Sequence, residues 1–140
     1  PTYVPLQEGP ENAELARRYP LQLIVPPNRF FLNSSFSQSE LLRRRQKAPT
    51  VFLHPEDAGA RGIKDGDPVK VWNDRGAAQF VAGVTDDTRP GVAVIEGIWW
   101  HKFQPGGRGV NVLTSDRVTD LGGGPVFHSN LVEIARLDSA

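Results

Sequence analysis

The chain has 140 residues, with 16 Lys plus Arg set against 16 Asp plus Glu and no cysteine. That length suits one domain with a real core, the balanced charge argues against a general nucleic-acid binder, and the missing Cys excludes disulfides, Cys-based zinc sites and thiol catalysis within the chain. No apolar run approaches the ~20 residues of a membrane span, and no signal peptide is visible. The 14 Gly and 12 Pro fall between short apolar runs, a pattern that predicts many short strands joined by turns. Met is absent and the chain opens at Pro1, which fits either a removed initiator or a piece of a larger protein.

Residues 1–19 are Pro-rich and polar, and read as a strap or linker with a short helix over Glu11–Arg18 rather than a separate domain. Leu21 to Val25 is the first clear strand, ended by Pro26-Pro27. Asn28 to Phe36 mixes apolar and polar residues without a clean period. Ser37 to Lys47 is polar and ends in Arg43-Arg44-Arg45-Gln46-Lys47, either a solvated loop or helix face or a patch turned towards an anionic ligand or another domain. Thr50 to Leu53 is a second strand.

The stretch from His54 to Gly76 carries the most local information. Pro55 suits a first helical position, having φ already set and no N–H to lose. Glu56 and Asp57 follow where negative charge favours the helix start, and Gly62 is placed to stop the helix in the left-handed region, sending Ile63 into a core. Lys64-Asp65-Gly66-Asp67 is turn chemistry with a positive φ at Gly66. Val69 and Val71 alternate with Lys70 at strand period, and Asn73 to Gly76 closes a hairpin with Gly76 suited to a bulge. Ala77 to Val84 pairs back on that strand. After a turn at Asp86 to Gly91, Val92 to Ile95 reads as a buried strand running into Glu96-Gly97-Ile98-Trp99-Trp100-His101. Two Gly-rich loops follow, at Pro105 to Gly109 and Asp120 to Pro125, with a short mixed stretch Val110 to Thr114 between them. Asn130 to Ile134 is the closing strand. There is no internal repeat visible by eye.

The chain carries no HExxH, P-loop or GxSxG. Its three His (His54, His101, His128) are far apart and lack metal-ligand spacing, and no spacing supports a Ser-His-Asp triad. On residue chemistry the chain reads as a binder or structural partner, not a complete enzyme. Three loops combine Gly freedom with polar side chains: Asn28–Ser35, Gly106–Asp116 and Asp120–Ser129. Such loops can bring backbone N–H groups to phosphate and Asn or Asp to a nucleobase edge; turn chemistry alone is the alternative reading.

Four segments together carry a family resemblance: LQLIVPPNRFFLNSSF, the DAGARGIKDGDPVKVWNDRG hairpin, VIEGIWWHKF and GVNVLTSDRVTDLGGGPVFHSNLVEI. In this order they resemble the C-terminal molybdopterin dinucleotide-binding domain of the formate dehydrogenase and dimethyl sulfoxide reductase superfamily. The match runs from Pro20 to Leu137, and its ending is most similar to the formate dehydrogenase-like enzymes. The resemblance implies a mainly β domain over residues 20–140, a six-stranded double-psi β-barrel with a few short helices. It favours a piece of a larger molybdenum or tungsten oxidoreductase, with the remaining domains of the parent as partners and neither nucleic acid nor membrane. A cytoplasmic location is the expectation, any targeting signal lying outside this chain.

By the same resemblance the cofactor is molybdopterin guanine dinucleotide. Asn33 and Ser34, with Arg29 nearby, would contact its pterin and phosphate part. Asn111 would lie near the guanine, with Thr114 and Asp116 beside it, and Phe127 and His128 would reach the pterin. Asn33 stands where many relatives have His. Trp99 and Trp100 are expected to pack, or to face a neighbouring domain across an exposed apolar patch. The metal would be held by the cofactor's dithiolenes and by a residue of another domain, so no catalytic or metal-ligating residue is expected here, and the chain alone should lack activity. The expectation is that Asn33, Asn111 and His128 line one cleft. The competing reading is a free-standing double-psi barrel that binds peptides or proteins, with a self-contained surface instead. A small hydrolase is a third, requiring a nucleophile and base in one pocket.

Overall fold

The computed structural model describes residues 2–3, 7–119 and 122–137. Six strands close into a barrel: β1 (Leu21–Ile24), β2 (Thr50–Leu53), β3 (Pro68–Asn73), β4 (Gly76–Val84), β5 (Val92–Ile95) and β6 (Asn130–Arg136). Their order around the barrel is β1-β5-β2-β4-β3-β6, with β6 pairing back on β1. Two pairs are parallel, β1 with β5 and β2 with β4, and the other four are antiparallel. This is the closed six-stranded barrel expected from the sequence.

Strand period fixes which residues fill the barrel. Leu21 and Leu23 of β1, Val51 and Leu53 of β2, and Val69 and Val71 of β3 are 0–1% exposed. Phe80 and Ala82 of β4, Ala93 and Ile95 of β5, and Val132 and Ile134 of β6 complete the interior. Strand β6 runs two residues past the predicted Ile134, because its far end still finds a partner where Arg136 pairs with Val69.

Among the described residues three short α-helices lie outside the barrel: α1 (Ala13–Arg18), α2 (Glu40–Gln46) and α3 (Pro55–Ala60). Helix α3 begins at Pro55 and ends in a Schellman arrangement. Ile63 N–H donates to Ala58 O at 2.9 Å and Gly62 N–H to Gly59 O at 3.1 Å, with Gly62 at φ 63°. Ala58 and Ile63 thereby plug the core. Helix α2 buries no residue and takes up part of the basic run. Helix α1 belongs to the predicted strap. The Tyr19 hydroxyl just after it donates to Asp74 Oδ1 at 2.7 Å, and Arg18 pairs with the same carboxylate. These contacts, the tyrosine hydrogen bond first, hold the Asp74 carboxyl below its usual range. The Tyr19 phenol is raised in turn, chiefly by the same bond.

Gly76 corrects an expectation. It faces Asn73 in unbroken register, with no bulge, and its φ is not positive. What requires glycine is close approach: a Cβ built there would lie 2.5 Å from Val112 Cγ2. Gly76→Ala is therefore expected to destabilise by about 2 kcal/mol through overpacking, and Val112→Ala in the same chain is expected to recover most of the loss. Urea unfolding of the two single variants and the double variant measures this; independent, additive losses would refute it.

Candidate functional site

The site lies where the parallel strands β1 and β5 end side by side. Pro26-Pro27 stops β1, and Gly97, at φ 69°, turns the chain away from β5 while its N–H donates to Pro26 O at 2.8 Å. The floor of the resulting cleft is apolar, formed by Ile24, Val25 and Ile98 with the two prolines. Its volume is about 640 Å³, within the usual range for small-molecule sites.

Three segments distant in sequence supply the rim: Asn33 from the first, Asn111 and Thr114 from the second, Phe127 and His128 from the third. Asn33 sits in a two-residue turn closed by Leu32 and Ser35, each donating its N–H to the other's carbonyl. Its φ is 52°, a left-handed conformation that Asn tolerates well among non-glycine residues; His shares that tolerance, so the departure from many relatives costs little conformationally. Asn111 and Thr114 come from a 3₁₀ turn over Val110–Leu113. At three residues per turn, positions i and i+3 eclipse, which places both on the cleft. The Thr114 hydroxyl fastens the turn by donating to Asn111 O at 2.9 Å. The Phe127 and His128 rings meet edge-on, centroids 4.4 Å apart. Asp120 and Leu121, at the start of the third predicted loop, lie outside the described residues.

Of the eight sequence candidates, Asn33, Asn111, Thr114, Phe127 and His128 line this cleft and three do not. Arg29 is exposed and does not line it. Ser34 does not line it either, and its backbone carbonyl accepts from Trp100 Nε1 at 2.6 Å. Asp116 lies past the 3₁₀ turn in a separate hollow of about 400 Å³, beside Glu8, Arg75 and Arg117. Trp99 is buried against Phe31, with ring centroids 5.0 Å apart. Trp100 is 36% exposed, and Leu32 and Phe36, which flank its partner Ser34, are exposed too.

The side-chain amides of Asn33 and Asn111 and the imidazole of His128 make no hydrogen bond among the described residues. Among the described residues no Lys, Arg, Asp or Glu lines the cleft. Polar donors and acceptors without a partner among the described residues, above an apolar floor, suit the edges and faces of a neutral heterocycle. Behind the wall, Asn28 accepts from the N–H groups of Phe30 at 3.0 Å and Phe31 at 2.5 Å, while its Nδ2 is buried against Gly97 without a partner among the described residues. These groups fit a pterin or a purine better than a strongly anionic ligand. Among the described residues no three His, Asp or Glu gather to hold a metal.

Sequence reasoning missed the residues that hold the rim in place. Asn130 is 0% exposed and Asn73 is 8% exposed. Asn73 Nδ2 donates to Leu113 O at 2.8 Å and Leu131 O at 3.3 Å. The sequence signal is an Asn closing one strand, β3, and an Asn opening another, β6, which reads equally well as an ordinary strand terminus.

The closed barrel with a cleft at its parallel strand ends places the chain among the double-psi β-barrels. A family model described as Molydopterin dinucleotide binding domain matches residues 21–131, and the chain belongs to that family, whose cofactor is of the molybdopterin type. It is 39% identical to the probable oxidoreductase YoaE of Bacillus subtilis (strain 168), over 98% of this chain and 19% of that protein. It is 33% identical to dimethyl sulfoxide reductase DmsA of Escherichia coli (strain K12), over 98% of this chain and 17% of that protein. It is 40% identical to trimethylamine-N-oxide reductase 1 of the same strain, over 86% of this chain and 16% of that protein. The chain thus spans less than a fifth of the length of these relatives. Among solved structures, acetylene hydratase from Pelobacter acetylenicus superposes with a TM-score of 0.82 at 20% identity, over 98% of this chain and 21% of that one, a likeness of fold.

Proposed function

We propose that this chain is the cofactor-gripping domain of a larger molybdopterin-dependent oxidoreductase, and that its cleft holds part of a molybdopterin guanine dinucleotide. The observation that carries the reading is the convergence of Asn33, Asn111 and His128, whose polar ends find no partner among the described residues, on one apolar-floored cleft. Asn33 and His128 would hydrogen-bond the pterin portion, and the Asn111 amide, with Thr114 beside it, would read the guanine edge by donating and accepting at once. Phe127 and the proline floor would exclude water from the ring faces. The bound group supplies the redox chemistry; the chain's part is to bind and orient it. With no basic side chain among the described residues of the cleft, phosphate charge would be met by backbone N–H groups of the neighbouring glycine-rich turns.

The closing segment supports a formate dehydrogenase-like parent as the narrower reading. A second reading is an oxide-reducing parent, favoured by the named dimethyl sulfoxide and trimethylamine-N-oxide reductases among the relatives. Turnover of formate against turnover of the two oxides by the full-length enzyme separates them.

Asn111→Ala in the full-length oxidoreductase tests the cleft. Loss of the amide is expected to weaken cofactor retention about tenfold, the size of one or two lost hydrogen bonds, with the thermal midpoint unchanged. The readout is guanine nucleotide and molybdenum content per protein. Full content in the variant would overturn the assignment.

A further inference from the structure

Asn130 lies inside the barrel at the start of β6, opposite Leu23 of β1 and 0% exposed. A leucine would fill such a position without desolvating an amide. An amide there is stable only when its hydrogen bonds are made, and none of its side-chain bonds serves the strand ladder. The Oδ1 accepts from Ser115 N–H at 3.0 Å, at the end of the segment carrying Asn111 and Thr114. The Nδ2 donates to Phe127 O at 2.8 Å, within the segment carrying Phe127 and His128. One buried side chain thus spans two walls of the cleft, from a strand paired with the one that supplies its floor.

A second layer holds this node. Arg75 Nη2 donates to Asn130 Oδ1 at 3.1 Å, and its Nε and Nη2 donate to Leu113 O at 3.1 and 2.8 Å. Its remaining Nη1 pairs at 2.6 Å with Glu8, whose side chain is only 13% exposed. Glu8 also accepts from the Ser115 hydroxyl at 3.3 Å. The carboxylate comes from the strap preceding α1, 67 residues from Arg75.

We infer that Asn130, held by Arg75 and Glu8, is a positioning node that sets the spacing of the two cleft segments, so that seating of the strap at Glu8 governs how firmly the cofactor is gripped. The inference rests on the cleft reading above. Asn130 touches no ligand in this arrangement; it acts through the segments it ties.

Two variants test it. Asn130→Asp keeps an oxygen for Ser115 and Arg75 but loses the donor to Phe127 O. Glu8→Gln removes the charge behind Arg75 at the edge of the barrel, where misfolding is not expected. Hydrogen–deuterium exchange on the full chain should show amides 127–129 opening about tenfold faster in Asn130→Asp and amides 113–116 opening faster in Glu8→Gln, a change of the size one lost bond produces. Ile134 in the middle of β6 should keep its protection in both. The same variants in the full-length oxidoreductase should retain several-fold less guanine nucleotide and molybdenum, as Asn111→Ala does. Unchanged protection of both segments overturns the node. Loosened segments with full cofactor content, beside an Asn111→Ala variant that loses it, overturn the control of grip. Full content in all three variants overturns the cleft reading and the inference with it. Should Asn130→Asp fail to fold, Glu8→Gln decides on its own.

Discussion

Gly97→Ala is expected to lower stability by about 3 kcal/mol, the sum of a left-handed backbone cost and of overpacking. Gly97 holds φ 69° where the chain leaves β5, and a Cβ there would come within 2.9 Å of both Cβ and Cγ of Asn28. Asn28 has little room to retreat. It is 7% exposed, and its Oδ1 binds two consecutive backbone N–H groups that shape the approach to Asn33. Moving it gives up those bonds as well. For a domain of this size the loss corresponds to a fall of roughly 10 °C in Tm. Gly91→Ala is the control: its φ is also positive, at 81°, but no atom lies within 4 Å of the added Cβ. It should cost only the backbone component, about 1 kcal/mol. Equal losses in urea unfolding would show that crowding against Asn28 contributes nothing.

Leu23→Ala is expected to be comparably severe, at about 3 kcal/mol for a cavity in a packed core. Leu23 is 0% exposed at the centre of β1, opposite Ala93 on one side and Asn130 on the other. Neither small Ala93 nor fully bonded Asn130 can expand into the space. The neighbouring residue points the other way. Ile24 faces the cleft, and Ile24→Ala should cost less than about 1 kcal/mol, because the removed atoms already border open space. Thermal and urea unfolding of the pair measure the contrast. A larger loss at Ile24 than at Leu23 would mean that the strand's faces are reversed.

Much of the barrel was legible because turn chemistry brackets its strands. Thr50–Leu53 and Val92–Ile95 match the expected spans, since each lies between strong breakers and carries apolar residues without interruption. The helix starting at Pro55 and the left-handed stop at Gly62 were legible for the same local reason. The segment from His101 to Leu113 was not, because it folds as three separate 3₁₀ turns that leave no apolar period to read. Gly76 was misread because its requirement comes from Val112, a contact no local pattern announces. Asn33, Asn111 and His128 could be singled out only through the order of four motifs; their spacing says nothing of a shared cleft. Asp116 was grouped with Asn111 by proximity along the chain, yet the 3₁₀ turn sends it towards the strap. The Asn73–Arg75–Asn130 network escaped altogether, since Asn at a strand end and Arg in a tight turn look ordinary until their long-range partners are known.

Strand β6 neighbours both β1 and β3. Until that last strand is synthesised and inserted, what precedes it is an open sheet with two raw edges and an interior in contact with water. The amide that fastens two sides of the cleft arrives on the same strand. On the proposed reading ligand capture would wait for ring closure: a nascent or truncated polypeptide lacking β6 has neither a sealed interior nor the Asn130 tie between the cleft segments, and its unpaired edges are where it would stick to other chains.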